Sequence, residues 1–399
     1  MNRRRLLSLA LASLGGTVLA QLLSCQPRKR SPILDPQLDS SLNLPSLAAA
    51  KGIIYGGFHQ RDYQEFPQDE IFIRHFLEEY ALLVGGFFGV TVGPFGAGNY
   101  DFSQVDPFAR FAQQHQLPFR GHPLIWNEFN SPWLVEKFKS PDTTPAEIDR
   151  IFVEHIATLT QQYAGQIMMW DVVNEVINVE DGRNDGLKDT TVSGVRGDKY
   201  PTWLHYLGKD YIERAFTLAH SFAPDAILVY NDNGLVYSNP FGNSYWEQRR
   251  TVVLKLLAEL KSKNIPVHAL GIQSHLLAHH NQDFDGKKFR QFLKDVADMG
   301  LKIVISELDV ADNKLPQDIA TRDRLVAEAY YEYLSVVLDE PAVTHIITWG
   351  LTDRYTWLSD FAPREDGAAV RPLPLDQEYQ RKPAWSAIAR AFKEAPERQ

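Results

Sequence analysis

Two glutamates carry the chemistry this chain can perform. Glu175 ends the run Trp170-Asp171-Val172-Val173-Asn174-Glu175, and Glu307 opens Glu307-Leu308-Asp309 after an apolar stretch, Lys302–Ile305. A pair of carboxyl groups cleaves a glycosidic bond when one stays protonated and donates to the leaving oxygen. The other stays ionised and meets the oxocarbenium-like carbon. That division of labour needs pKa values pushed apart, up for the acid and down for the nucleophile. A lone glutamate after a strand is more often a surface or salt-bridged residue, so the weight rests on the pairing. Asn174, beside Glu175, suits a hydrogen bond to a sugar 2-hydroxyl that strengthens in the transition state. His275, on the strand before Glu307, is placed to orient that carboxylate and keep it ionised.

Further polar residues follow apolar runs: His122 and Trp126, Asn231-Asp232, Gln273-Ser274-His275, and Trp349 with Asp353. Polar groups at such places are expensive to bury unless hydrogen-bonded, so their clustering points to a site. Asp171 and Asp309 read as hydrogen-bond partners rather than catalysts, Trp170 as core, Trp126 as a site wall and His122 as a sugar contact. His279-His280 lie near Asp283 and Asp285, but adjacent histidines point different ways on a regular element. They read as a solvated loop; no metal and no cofactor is expected.

These residues must be held by repeated elements. Strand-like runs occur at Gly52–Phe58, Phe88–Val92, Pro118–Trp126, Ile167–Val173, Ala226–Tyr230, Ala269–Ser274, Lys302–Ile305 and Ile346–Trp349. Between them apolar residues recur at helical spacing: Ile71, Phe72, Phe76 and Tyr80; Ile151, Phe152, Ile156 and Leu159; Leu254, Leu257 and Leu260; Leu325, Ala329 and Tyr333. Strands alternating with helices imply parallel βαβ units, and eight of them imply a single (β/α)8 TIM barrel of class α/β. An open doubly wound sheet is the competitor, but the first strand is not followed by a glycine-rich phosphate loop. In a barrel the reactive side chains come from the C-terminal strand ends, so strands four and seven would face Glu175 and Glu307 across the mouth.

Taken in register, six motifs resemble glycoside hydrolase family 10, the endo-β-1,4-xylanases. They are Gly121-His122 with Trp126, Trp170 to Glu175, Asn231-Asp232, Gln273 to Leu276, Glu307 to Asp309, and Trp349 to Leu358. The resemblance runs from about Phe58 to Trp385. It implies a retaining enzyme with Glu175 as acid/base and Glu307 as nucleophile, supported by Asn174, Gln273 and His275. His122, Trp126, Trp349 and Trp357 would wall the sugar subsites. Three departures stand beside it. The family's Glu-Asn-x-x-Lys cluster after the second strand, which binds glycone sugars, is missing where the chain reads Thr91 to Gly98. Its His-x-Gln after the tryptophan is replaced by Asn127-Glu128-Phe129, and its tyrosine after Asn231-Asp232 by Asn233.

The bulk composition agrees with an uncharged glycan substrate. The 399 residues carry a net charge of −9, which argues against nucleic acid, whose phosphates want a basic face. A single cysteine, Cys25, rules out an intrachain disulfide and a cysteine-based metal cluster. Arg3-Arg4-Arg5 followed by the apolar run Leu6–Leu23 has the form of an export signal, with a twin-arginine flavour. Leu22-Leu23-Ser24-Cys25 resembles a bacterial lipobox, so lipid on Cys25 and a place at the cell envelope are expected; cleavage near Ala20 with secretion is the alternative. The expected layout is a signal peptide over 1–25, a linker over 26–50 and a catalytic barrel over 51–395, acting as a monomer on polysaccharide. The leading function is endo-1,4-β-xylanase. The alternatives are the same mechanism on another β-glycan, or a non-catalytic carbohydrate-binding barrel.

Overall fold

Eight parallel strands close into a ring in the computed structural model: β1 (Ile54–Phe58), β2 (Leu83–Gly86), β3 (Phe119–His122), β4 (Ile167–Asn174), β5 (Ile227–Asp232), β6 (Ala269–Ile272), β7 (Lys302–Ala311) and β8 (Val343–Thr348). Each strand pairs with its sequence neighbour, and β8 returns to β1, with Ile54 opposite His345. The structure describes residues 42–59, 69–86, 88–180, 183–192, 199–237 and 245–398. Cys25 and the expected signal segment lie outside the described residues.

The strands are buried on both faces, which is why they read as near-continuous apolar runs rather than alternating ones. Val84, Met169, Val229, Ala269, Val304 and Ile347 fill the barrel interior, while a larger apolar layer joins the strands to the surrounding helices. The four segments with helical spacing form helices Glu70–Glu79, Pro145–Gln162, Tyr245–Ser262 and Ile319–Val337. The start of Pro145–Gln162 is fixed by proline in its first turn and by Thr144, whose side chain accepts from Glu147 N at 3.2 Å. A short helix, Leu44–Ala49, falls inside the stretch expected to be a linker. Its buried Leu44 and Ala48 pack toward β1 and the final helix, Pro383–Glu394.

The second strand differs from expectation. Phe88–Val92 was expected to be that strand, but Phe88–Thr91 is a short helix and the strand is the preceding Leu83–Gly86. The cause is local. Residues 80–92 form one apolar run that periodicity cannot divide, and Gly85-Gly86 disguises the strand by propensity. Glycine is required there, because a Cβ on Gly86 would lie 2.3 Å from the His122 carbonyl oxygen. Residues 87–91, which follow the true strand, read Phe-Phe-Gly-Val-Thr and also lack Glu, Asn and Lys. The departure from the family pattern therefore holds at the corrected position.

Candidate active site

Both glutamates stand where their strands lose regular register. On β4 the pairing with β5 shifts between Asp171 and Val173, and on β7 the pairing with β8 shifts between Ile305 and Leu308. Such bulges re-aim side chains at a barrel rim. Glu307 lies within β7 rather than after it, since the strand runs on to Ala311. Glu175 follows β4 in a left-handed conformation, φ +55°, at a cost of roughly 1–2 kcal/mol for an L-residue. Two backbone bonds offset that cost. Glu175 N donates to Asn231 O at 2.9 Å, and Lys188 N donates to Val176 O at 2.8 Å.

A chain of amides joins the two carboxyl groups. Asn231 Nδ2 donates to Glu307 Oε1 at 2.7 Å and to Asn174 Oδ1 at 2.8 Å. Gln273 Nε2 donates to Glu175 Oε1 at 2.8 Å, and Trp126 Nε1 to Glu175 Oε2 at 3.2 Å. Ser306 Oγ fixes the Asn231 amide by donating to its Oδ1 at 2.6 Å. Glu307 is also met by His275, whose Nε2 is 3.2 Å from Oε2 while its Nδ1 reaches Asp309 Oδ1 at 2.9 Å. Beneath them the fully buried Arg120 binds Asp171 through two nitrogens and Ser306 O through a third at 2.9 Å. His122 Nδ1 sits 2.6 Å from Asp171 Oδ2 and 3.9 Å from Glu307 Oε1.

These neighbours drive the two acids apart. Burial pushes Glu175 above its ordinary value; nearby Lys188 pulls it back, while Glu128 pushes it up again. Burial would also raise Glu307, but the His122 and His275 imidazoles and the Arg120 guanidinium outweigh it and hold that carboxyl below its ordinary value. For His275, burial alone would favour the neutral ring. Asp309 and Glu307 overcome it and push the imidazole up to about 10, so it is a cation at neutral pH. The arrangement offers a proton donor and an ionised carboxylate on one cleft.

That cleft has a volume of about 510 Å³. Of the residues expected at the site, Glu175, Glu307, His122, Trp126, Gln273, His275, Trp349 and Trp357 all line it. Asn174 does not. It is fully buried just beneath, and among the described residues its Nδ2 has no hydrogen-bond partner. Trp170 packs in the core against Phe88, and Trp357 Nε1 donates to Asp309 Oδ2 at 2.7 Å. His280 pairs with Asp283 at 2.7 Å in a 3-10 turn, Ala278–Asp283. Trp349 is nearly covered, because Phe58 stacks on it with centroids 4.2 Å apart.

Several participants had no role assigned from sequence. Arg120 lies inside a run that reads as strand and Ser306 directly after one, and only burial of their charge or hydroxyl distinguishes them. Lys188 and Trp246 reach the cleft from loop and helix far from any strand end. Glu128 stood out as a departure from the family pattern; it pairs with Lys188 at 3.1 Å on the Glu175 flank.

Comparison with known proteins agrees with this geometry. The family model described as glycosyl hydrolase family 10 matches residues 93–391. Endo-1,4-beta-xylanase B of Thermotoga neapolitana is 28% identical over 298 residues, covering 74% of this chain and 75% of that protein. Endo-1,4-beta-xylanase C of Paenibacillus barcinonensis is 30% identical over 364 residues, covering 87% of this chain but 31% of its own length. The chain thus spans three quarters of one relative and under a third of the other. Xylanase 10B of Thermotoga petrophila, solved with xylobiose, superposes with a TM-score of 0.75 at 25% identity, covering 88% of this chain and 98% of that one. The matched region begins at Gly93, later than the Phe58 expected from motifs, and ends past Trp385. β1 and β2 lie before it, where the chain departs from the family's polar cluster.

Proposed function

The chain belongs to glycosyl hydrolase family 10, and from that premise we propose that it is a retaining endo-1,4-β-xylanase. Glu175 is its acid/base and Glu307 its nucleophile. In the first step a Glu307 oxygen bonds to the anomeric carbon, the C1–O4 bond breaks, and the Glu175 proton passes to the departing O4. In the second, Glu175, now a carboxylate, takes a proton from water as that water attacks C1 and expels Glu307. Two inversions give net retention. The observation that carries the reading is the opposed surroundings of the two acids. Glu307 meets an amide N–H and an imidazolium, while Glu175 meets two neutral donors in a buried place. Asn174 Nδ2, buried just beneath the cleft and without a partner among the described residues, would donate to a sugar 2-hydroxyl seated above it.

The test is hydrolysis of a β-glycan panel by the purified protein, with the new anomer followed by NMR. Release of β-anomer from xylan is expected; an α-anomer, or binding of xylan without cleavage, overturns the proposal. One observation favours a second reading, the same mechanism on another β-glycan: the apolar sequence after β2 replaces the family's glycone-binding cluster. Export, with lipid on Cys25, is proposed from the basic and apolar N-terminal sequence alone. The enzyme is proposed to act as a monomer.

A further inference from the structure

A single apolar ring on a protein surface needs no explanation, but two in the lining of one cleft point to a ligand that covers them. Phe361 is 73% exposed and Phe129 is 55% exposed, and both line the cleft. Each ring extends a tryptophan. Phe129 stacks on Trp126 with centroids 4.7 Å apart, and Phe361 packs on Trp357 at 4.6 Å. Both are held in place. Phe129 adopts a left-handed backbone, φ +50°, that an L-residue takes only at a cost. Asn130 Nδ2 fixes that turn by donating to Trp126 O at 3.1 Å, and Ser131 N ties it to Gly89 O at 3.0 Å. Phe361 closes the short helix Leu358–Phe361, which is anchored by its buried Leu358.

The walls around these rings are poor partners for a hydroxyl. Among the described residues, the segment after β8 gives the cleft only Trp349, Trp357 and Phe361, and β1 and β2 give it no side chain. The Trp357 indole N–H already donates to Asp309 Oδ2 at 2.7 Å. Beside Phe129, the Glu128 carboxylate is paired with Lys188 at 3.1 Å. A sugar hydroxyl pressed against the phenyl rings therefore loses water without gaining a partner, which is unfavourable. An O-acetyl ester in the same place has no hydrogen to donate. Its methyl group gains by leaving water, while its carbonyl stays wetted at the open mouth. A methyl is also small enough to lie against one phenyl ring.

We propose that Phe129 and Phe361 are specificity-determining residues that select O-acetylated xylan over the same chain with free hydroxyls. The proposal rests on the reading of the enzyme as a xylanase and names the chemical state of the polymer it meets. The bond cut is still the backbone glycosidic bond, and the esters pass through unchanged.

The test uses one preparation of O-acetylated xylo-oligosaccharides, half of it saponified, at mildly acidic pH where the esters persist. Release of reducing ends at low substrate concentration gives kcat/KM on each half for wild type, Phe129→Gln and Phe361→Gln. The quantity read is the ratio, acetylated over saponified, so a uniform loss of activity in a variant does not alter it. Wild type should give a ratio above one. Each variant should lower that ratio by about three- to fivefold, the effect of one methyl group no longer leaving water against a ring. A ring that only stacks on the sugar face would slow both halves together and leave the ratio unchanged. An unchanged ratio in either variant, or a wild-type ratio below one, overturns the proposal while leaving the xylanase reading intact. A wild type that cuts neither half overturns the xylanase reading, and the preference with it.

Discussion

Replacing Glu175 by alanine separates proton transfer from covalent catalysis. The truncation removes the acceptor of two hydrogen bonds, from Gln273 at 2.8 Å and Trp126 at 3.2 Å. Left dry, such donors would cost about 1–3 kcal/mol each, but both side chains line an open cleft where water can take the vacated place. The fold should therefore survive and the loss should be chemical. General acid catalysis is worth about 10²–10⁴-fold, or about 3–5 kcal/mol of barrier, so xylan hydrolysis should fall by that factor. An aryl xylobioside with an acidic phenol needs little protonation, and its glycosylation step should persist. Deglycosylation then lacks a base, so a burst of phenol should precede a slow steady state. Azide needs no base and should restore turnover, giving the β-glycosyl azide. Glu307→Ala should form no glycosyl-enzyme, and azide acting there should give the α-glycosyl azide. The opposite pairing of variants and azide anomers would mean the two roles are reversed.

Other expectations follow from the same network. The pH profile of kcat/KM should be bell-shaped. Activity falls as pH drops through the depressed Glu307 pKa, because the nucleophile must be ionised, and falls as pH rises through the raised Glu175 pKa, because the acid must keep its proton. His275→Ala removes a cation that favours ionised Glu307, so the acid limb should move to higher pH; a stationary limb would contradict the assigned cause. Arg120→Met leaves Asp171 buried without its guanidinium and should cost about 3–5 kcal/mol in urea unfolding, whereas a loss under about 1 kcal/mol would mean the pair is dispensable. Mass spectrometry of the exported protein should find Cys25 lipidated at the new N-terminus; a free N-terminus near Gln21 would refute the anchor.

Much of the site was legible because strand ends announce themselves. Wherever a long apolar run stopped at a polar cluster, as at Val173-Asn174-Glu175 or Ile272-Gln273, the run proved to be a strand and the cluster lay at the mouth. The reading failed where the chain broke its own pattern. Gly85-Gly86 made a true strand look like a turn, and Phe88 made a helix look like a strand. Lys188 and Trp246 were invisible for a different reason. Each reaches the site through a tertiary contact: the Lys188 loop by returning to Val176, and the helix of Trp246 by its Arg249 clamp on the β5 rim. Nothing in local periodicity records such a return.

The assignment of roles rests on company more than on position. Glu175 and Glu307 share an ordinary value of 4.5, and burial raises both. What differs is the charge each can see. Behind Glu307 the interior alternates in sign: Arg120 against Asp171, then the Glu307 carboxylate, the His275 cation and Asp309. In a low-dielectric interior such an array is costly to assemble and costlier to disturb, since removing one member leaves its partner buried and uncompensated. It fixes the Glu307 proton state and its orientation together, as an attacking carboxylate requires. Glu175 faces neutral donors and one ammonium, Lys188, whose charge is answered by Glu128 at 3.1 Å. With little net charge to oppose burial, that acid keeps its proton to a higher pH. The barrel makes them unlike by surrounding one with fixed positive charge and the other with neutral polar groups.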